Sequence, residues 1–180
     1  RNMSILGHFI PIKSHIMRSF TIHESDFELL LQHSPFVPSN LVSTYAKGFT
    51  SLLQGDYISS LYILTPLLEA SVRKVMKDCG LDVTIIDMHT GLQQDKTITS
   101  LLQSDREEMT KIFGNDIIFA IEMIFLEPPG PKIRHKVAHG LLYDFMAYDV
   151  DAIYACLFIY RMCFLPLFRY REEFAKSSLI

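Results

Sequence analysis

Leu61-Tyr62-Ile63-Leu64-Thr65-Pro66-Leu67-Leu68-Glu69-Ala70-Ser71-Val72-Arg73-Lys74-Val75 is the stretch that sets the fold class. Leu61, Leu64, Leu68, Val72 and Val75 recur at the spacing of one helix face. The pattern extends a helix from about Tyr57 to Cys79, with Gly80 as its C-terminal cap. Pro66 lies inside it and predicts a kink. Just upstream, Ser39 can cap a helix whose Leu41, Tyr45, Phe49 and Leu52 share a face, closed by Gly55-Asp56. So short a connection favours an antiparallel helix pair.

Helical patterning continues outward in both directions. Downstream it runs from Thr97 to Phe113 with a break at Ser104-Asp105, and Gly114-Asn115 stops it. Asp116 to Leu126 is nearly all apolar and predicts a short buried helix, broken by Glu127-Pro128-Pro129-Gly130. Pro131, whose missing amide costs nothing at a helix start, opens a helix to about Tyr143. The last long helix starts near Asp149 and Asp151, acids suited to its positive end. Its solvated end carries Arg169, Arg171, Glu172, Glu173 and Lys176. Residues 82 to 96 differ: Val83-Thr84-Ile85-Ile86 is β-branched and His89-Thr90-Gly91 turn-like. A small hairpin near 83–92 fits, and so does an ordered loop. At the other end, Phe9-Ile10-Pro11-Ile12 and Phe20-Thr21-Ile22 read as short extended pieces. Ser25-Asp26-Phe27-Glu28 reads as a capping box opening a short helix through Leu29, Leu30 and Leu31. Ser34-Pro35-Phe36-Val37-Pro38 ends that helix and divides an N-terminal arm, 1–38, from the main domain, 39–180. The sum is an all-α bundle of about five or six core helices.

Composition narrows the class. The 180 residues are 49% hydrophobic and 21% charged, which suits a single folded domain and excludes disordered or collagen-like chains. A net charge of −3 excludes a protein that coats nucleic acid through bulk basicity. Cys79, Cys156 and Cys163 read as reduced thiols of an intracellular protein rather than a disulfide framework, and a cytoplasmic location is expected. Arg1-Asn2-Met3 reads as a trimmed beginning or the end of something longer, and no signal peptide is expected there. Ala152 to Phe168 is apolar except for Arg161 near its middle and the tyrosine hydroxyls. A charge there is costly in a bilayer, so a buried core helix is expected rather than a span.

Common catalytic signatures are absent from the sequence: no phosphate-cradling loop, dinucleotide fingerprint, CxxC pair or GxSxG elbow. His8, His15, His23, His33 and His89 have no partner at ligand spacing and read as surface or turn residues. The segment that stands out is Ile133-Arg134-His135-Lys136-Val137-Ala138-His139-Gly140. On one helix, Ile133, Val137 and Leu141 would face the core, while His135 and His139 would share the opposite side. Gly140, costly inside a helix, implies close approach of another backbone. Arg134 would lie about 140° round from His139. To act on one phosphate, Arg134 must use its length, or a two-fold dimer must supply one of the groups. The spacing leaves three readings open. The first is a solvated face with His139 at a helix–helix contact. The second is a metal-holding histidine pair at zincin spacing, with Lys136 where the general base would stand and no third ligand evident. The third is metal-free phosphodiester cleavage, with histidine moving protons and arginine holding the phosphate.

Arg134-His135-Lys136-Val137-Ala138-His139 resembles the arginine, polar residue, three variable residues, histidine signature of the HEPN superfamily. Further blocks look like one HEPN-related family, catalogued as a domain of unknown function. That family is also found in the endoplasmic-reticulum-membrane-associated RNA degradation protein. The blocks are Gly55-Asp56-Tyr57, Leu64 to Arg73, Gly91 to Thr97, Phe113-Gly114-Asn115-Asp116 and Arg134 to Leu142, covering roughly residues 40 to 145. The family often has asparagine after the arginine; His135 stands there in this chain. The resemblance implies a helical, HEPN-like homodimer and a metal-independent endoribonuclease without cofactor that leaves a cyclic phosphate. Such proteins work in phage defence or RNA degradation. By position, His139 would be the acid/base group, Arg134 the phosphate clamp and His135 a positioning group. Glu69 matches a family glutamate, read either as an i, i+4 partner of Arg73 or as the holder of Arg134. Lys132 and Lys136 would add local positive potential or simply be solvated; no acid occurs from 128 to 143. The implied partners are RNA and a second copy, with an antitoxin or a preceding N-terminal region as further candidates. The alternative is a non-catalytic dimerisation or nucleotide- or partner-binding module.

Overall fold

The apolar stripes around Leu61 and Tyr45 become two long antiparallel helices, α4 (Val42–Gln54) and α5 (Tyr57–Asp78). They belong to a computed structural model that describes residues 2–86 and 91–170. Tyr45, Ala46, Phe49 and Leu52 of α4 are buried against a core that includes Leu61, Leu64, Leu68, Val72 and Met76 of α5. The two helices approach closely at Gly48, where a Cβ would stand 2.6 Å from a methyl of Leu64. Asp56 caps α5 by accepting the amide of Ser59, and Pro66 sits inside a helix that continues through it. The buried Tyr45 hydroxyl donates to the Leu67 carbonyl at 2.9 Å and shares a 2.6 Å hydrogen bond with Ser71 Oγ. Tyr45→Phe leaves both partners buried without it and is expected to cost about 1–2 kcal/mol, read by denaturant unfolding.

Around this pair the described chain is all-α with one small sheet. Phe9-Ile10-Pro11-Ile12, expected as an extended piece, is helical within 2–19: α1 (Asn2–Ser4), a π segment (Ile5–Phe9) and α2 (Ile10–Ser19); Phe20, in the other expected piece, is extended (φ −136°, ψ 143°). Pro11 falls in the first turn of α2, where the geometry changes from π to α. Ile5 is fully buried, so tertiary packing outweighs the local β-branched bias. α3 (Glu24–Leu31) begins two residues earlier than read from Ser25. The His23 amide donates to Asp26 Oδ2 at 2.8 Å, so Asp26 plays the part assigned to Glu28.

Residues before Ser39 do not stand apart from the core. Ile5, Phe27, Leu31, Phe36 and Val37 join the same cluster as α4 and α5. Ser34 Oγ donates to the Cys163 carbonyl at 2.6 Å, tying this segment to α10 (Val150–Phe164). Phe27, Phe49 and Phe164 meet edge-on or tilted at 5.6–6.1 Å. Val150–Phe168 is long and apolar enough to cross a membrane, with mean hydropathy 1.6, and 44% of that window is buried here. Its Ala152, Ala155, Cys156, Ile159 and Cys163 face the core, while Arg161 is exposed.

β1 (Thr84–Ile86) and β2 (Gln93–Asp95) pair antiparallel, Thr84 opposite Asp95 and Ile86 opposite Gln93. The turn expected around His89-Thr90 lies outside the described residues, as does the charged stretch from Arg171 to Lys176. α6 (Ile98–Ser104) and α7 (Arg106–Phe113) are separated at Asp105, where the break was read. α8 (Asn115–Ile121) continues into a π segment, Glu122–Leu126, whose Ile124 and Phe125 are buried. The stretch is less uniformly buried than its composition implies, since Phe119 is exposed.

The loop that follows leads into α9 (Ile133–Ala138) and is tightly seated. A Cβ on Gly130 would fall 1.8 Å from the Met123 carbonyl oxygen and 2.9 Å from that of Glu127. Both obstacles are backbone, which cannot swing aside as a side chain can. Gly130→Ala is therefore expected to destabilise by about 3 kcal/mol, at the upper end for overpacking. Thermal unfolding checks it.

Candidate functional site

The site is built where α9 lies against the middle of α5. Glu69 and Arg73 are one turn apart on α5, a spacing that lets their side chains meet. Lys132 takes a left-handed conformation (φ 51°) just before α9, and Ile133, 2% exposed, anchors that helix in the core. Arg134 is then directed at Glu69. Its Nε and Nη2 stand 3.2 and 3.0 Å from Glu69 Oε2. Arg73 Nη1 donates to Glu69 Oε1 at 3.0 Å and to the Lys96 carbonyl at 3.2 Å. The amide of Ile98, opening α6, donates to Glu69 Oε2 at 3.2 Å.

One half-buried carboxylate thus gathers two guanidiniums and a backbone amide. The two readings of Glu69, partner of Arg73 and holder of Arg134, coexist in one geometry. Arg73 Nε also lies 3.6 Å from Asp95 Oδ2, which links the sheet to the same cluster. Beside it, Lys96 Nζ pairs with Asp105 Oδ2 at 2.8 Å. Burial opposes the charge on Asp105, but hydrogen bonds from Lys96 and Ser104 outweigh it and hold the carboxyl below the usual range.

α9 is shorter than its sequence implied. It ends at Ala138 rather than near Tyr143, and His139 is its C-terminal cap. Gly140 adopts φ 65°; its amide points to the Val137 carbonyl, and the Leu141 amide donates to the Lys136 carbonyl at 2.8 Å. These are the two bonds of a Schellman ending, for which glycine is the ordinary residue. The close backbone approach expected at Gly140 is not found: no described atom lies within 4 Å of a Cβ placed there. For the same reason Leu141 leaves the predicted core stripe and is exposed, while Leu142 is buried.

His135 and His139 remain neighbours, with ring centroids 4.5 Å apart, and both are exposed. Two groups therefore flank one short helix: Arg134 with Glu69 and Arg73, and the histidine pair. Among the described residues no hydrogen bond or ion pair joins the two groups. Lys132 and Lys136 are half-buried on either side of Arg134. Among the described residues no three His, Cys, Asp or Glu side chains gather as a metal-holding group. A cavity of about 360 Å³ opens between α5 and α9, lined by Thr65, Pro66, Glu69, Arg73, Arg134, Val137 and Ala138. The buried Thr65 hydroxyl has no hydrogen-bond partner among the described residues.

Cys156 and Cys163 are buried and free, away from this cluster; Cys79 is exposed and free. Burial pushes the Cys156 thiol up to about 12, against a weaker opposing hydrogen bond from Ser60. The Ile98 amide, the Lys96 carbonyl and Asp95 were not picked out from the sequence. Backbone groups carry no residue-type signal, and Asp95 reaches Arg73 only through the strand pairing. No protein-family model, no curated protein and no solved structure matches the chain.

Proposed function

We propose that the chain is a metal-independent endoribonuclease of the HEPN type, acting as a homodimer through the Arg134 to His139 segment. The observation that carries this reading is the exposed His135–His139 pair, on and capping the same short helix as an arginine oriented by a carboxylate. A guanidinium has five N–H donors in a fixed fork. Glu69 faces those on Nε and Nη2, so the Nη1 edge remains to clamp a phosphate.

In this mechanism His139 takes the proton of a ribose 2′-hydroxyl. The oxygen attacks the neighbouring phosphorus, and the bond to the 5′-oxygen of the next nucleotide breaks. A 2′,3′-cyclic phosphate remains on one product, and the departing oxygen receives a proton from a histidine. Arg134 stabilises charge on the non-bridging oxygens, and His135 positions the neighbouring ring. Lys132 and Lys136 raise the local potential toward the RNA backbone. A cytoplasmic setting, in phage defence or RNA degradation, fits this chemistry.

One observation favours a second reading. Arg134 already belongs to an ion cluster that ties α5, α6 and α9 together, as expected of a non-catalytic HEPN-like module. A panel of single-stranded and structured RNAs incubated with wild-type protein and His139→Ala, with chelator present, separates the two. Wild-type cleavage lost in the variant supports the enzyme. Equal cleavage by both, or none by either, overturns it.

A further inference from the structure

Just past His139 the chain carries an exposed aromatic surface that the proposed chemistry does not use. Tyr143 is 60% and Phe145 67% exposed, and their rings lie nearly parallel, 19° apart with centroids at 6.1 Å. Tyr148, also exposed, ends the patch by packing edge-on against Tyr57 at 5.5 Å.

The position of this patch relative to Arg134 follows from α5. Arg134 meets that helix at Glu69, and Tyr148 meets it at Tyr57. Twelve residues of helix separate the two contacts, roughly 18 Å at 1.5 Å per residue. The segment from Arg134 to Tyr148 therefore runs antiparallel along α5, with cations and histidines toward one end and flat exposed rings toward the other. Several stacked nucleotides fit that length at about 3.4 Å each.

We propose that this strip is a binding track for unpaired RNA, with bases stacked on Tyr143 and Phe145 and the backbone drawn to the Arg134 end. The inference rests on the nuclease reading for its choice of ligand. Solvent-facing aromatic rings and cations on one strip are the chemistry that holds single strands, whose bases are free to stack. A duplex keeps its bases stacked on each other and has none to offer. Asp144, between Tyr143 and Phe145 in sequence, and Asp149, after Tyr148, are both exposed, so the aromatic end offers phosphates no attraction and holds bases by stacking alone. A second copy of the chain suits the patch less well, because a two-fold contact centred here would bring these acids toward their own images.

The test uses the absence of tryptophan from the sequence. Phe145→Trp places a sole tryptophan on the track, and its emission is followed during titration with a short 2′-O-methyl oligoribonucleotide. That probe lacks the nucleophilic hydroxyl and is bound without being cut. Quenching by the single strand, strongly reduced when the same oligonucleotide is annealed to its complement, is the expected result. Adding Tyr143→Ala should weaken the apparent Kd about tenfold or more. Equal response to single strand and duplex, or a Kd unmoved by Tyr143→Ala, overturns the track. A dimer that Tyr143→Ala converts to monomer without RNA, read by sedimentation, assigns the patch to a second copy and overturns it as well. Failure of the nuclease reading is separable: quenching by the probe with no cleavage of ordinary RNA leaves the track standing without the enzyme. Cleavage whose KM is unchanged by Tyr143→Ala removes the track and leaves the enzyme.

Discussion

His139→Ala is expected to abolish RNA cleavage while leaving the fold intact. A positioned histidine contributes about 10²–10⁴-fold to proton transfer, so the proposed nuclease should fall by that factor in kcat. The fold should not notice. His139 is exposed, and the bond it contributes to α9 is made by its backbone amide, to the His135 carbonyl, which alanine retains. The side chain's described neighbour is the His135 ring, itself exposed. Surface substitutions of this kind usually shift stability within about 0.5 kcal/mol. Initial rates on a cleaved RNA and thermal unfolding of the same preparations test both halves. His135→Ala, which removes only the adjacent ring, should lower the rate less. A rate unchanged by His139→Ala would assign any observed cleavage to another group or to a contaminant. A large loss of stability would instead give His139 the helix-packing role that its spacing also allowed.

The main helices were legible because their signal is long. Two buried stripes on α4 and α5 repeat over several turns, so tertiary packing had little to overrule. The Asp105 break was legible because a polar pair interrupts an apolar pattern. What the sequence concealed was where helices stop. Gly140 fits either a helix interior or the residue just past the end, and periodicity does not tell these apart; the choice belongs to a left-handed φ and two bonds made by neighbours. Reading Gly140 as interior carried Leu141 onto a core face that it does not occupy. The stretch Phe9-Ile10-Pro11-Ile12 differs from its expected extended form for the opposite reason. Its local composition is ambiguous, and burial of Ile5 against distant residues decides it. At the site, Arg134, His135 and His139 could be named from residue types and spacing, and Glu69 from the resemblance of its block. The joint hold of Glu69 on two arginines could not, since it needs α6 and α9 to arrive on the same side of α5.

That joint hold makes Glu69→Gln the second large effect. The amide keeps the volume but loses the charge, presents one acceptor where there were two, and turns an N–H toward a guanidinium. Arg73 and Arg134, whose side chains are 21% and 33% exposed, would be left half-buried without their shared counterion. Breaking a fully buried pair costs about 3–5 kcal/mol, and solvent screening lowers that here, so about 2–3 kcal/mol is expected. For a chain of this length that corresponds to roughly 4–12 °C in Tm. Cleavage should also fall, about tenfold or more, because Arg134 would no longer be held toward the phosphate. Stability alone cannot separate a structural cluster from a positioning role, since both predict the lower Tm. The double variant with Arg134→Gln does separate them. If Glu69 acts on the reaction through Arg134, then Glu69→Gln should cost little further activity once Arg134 is gone, although it still loosens Arg73 and the Ile98 amide and lowers the Tm again. If instead the two activity losses multiply as independent effects, the carboxylate serves the fold of α5, α6 and α9 and does not position the arginine for chemistry.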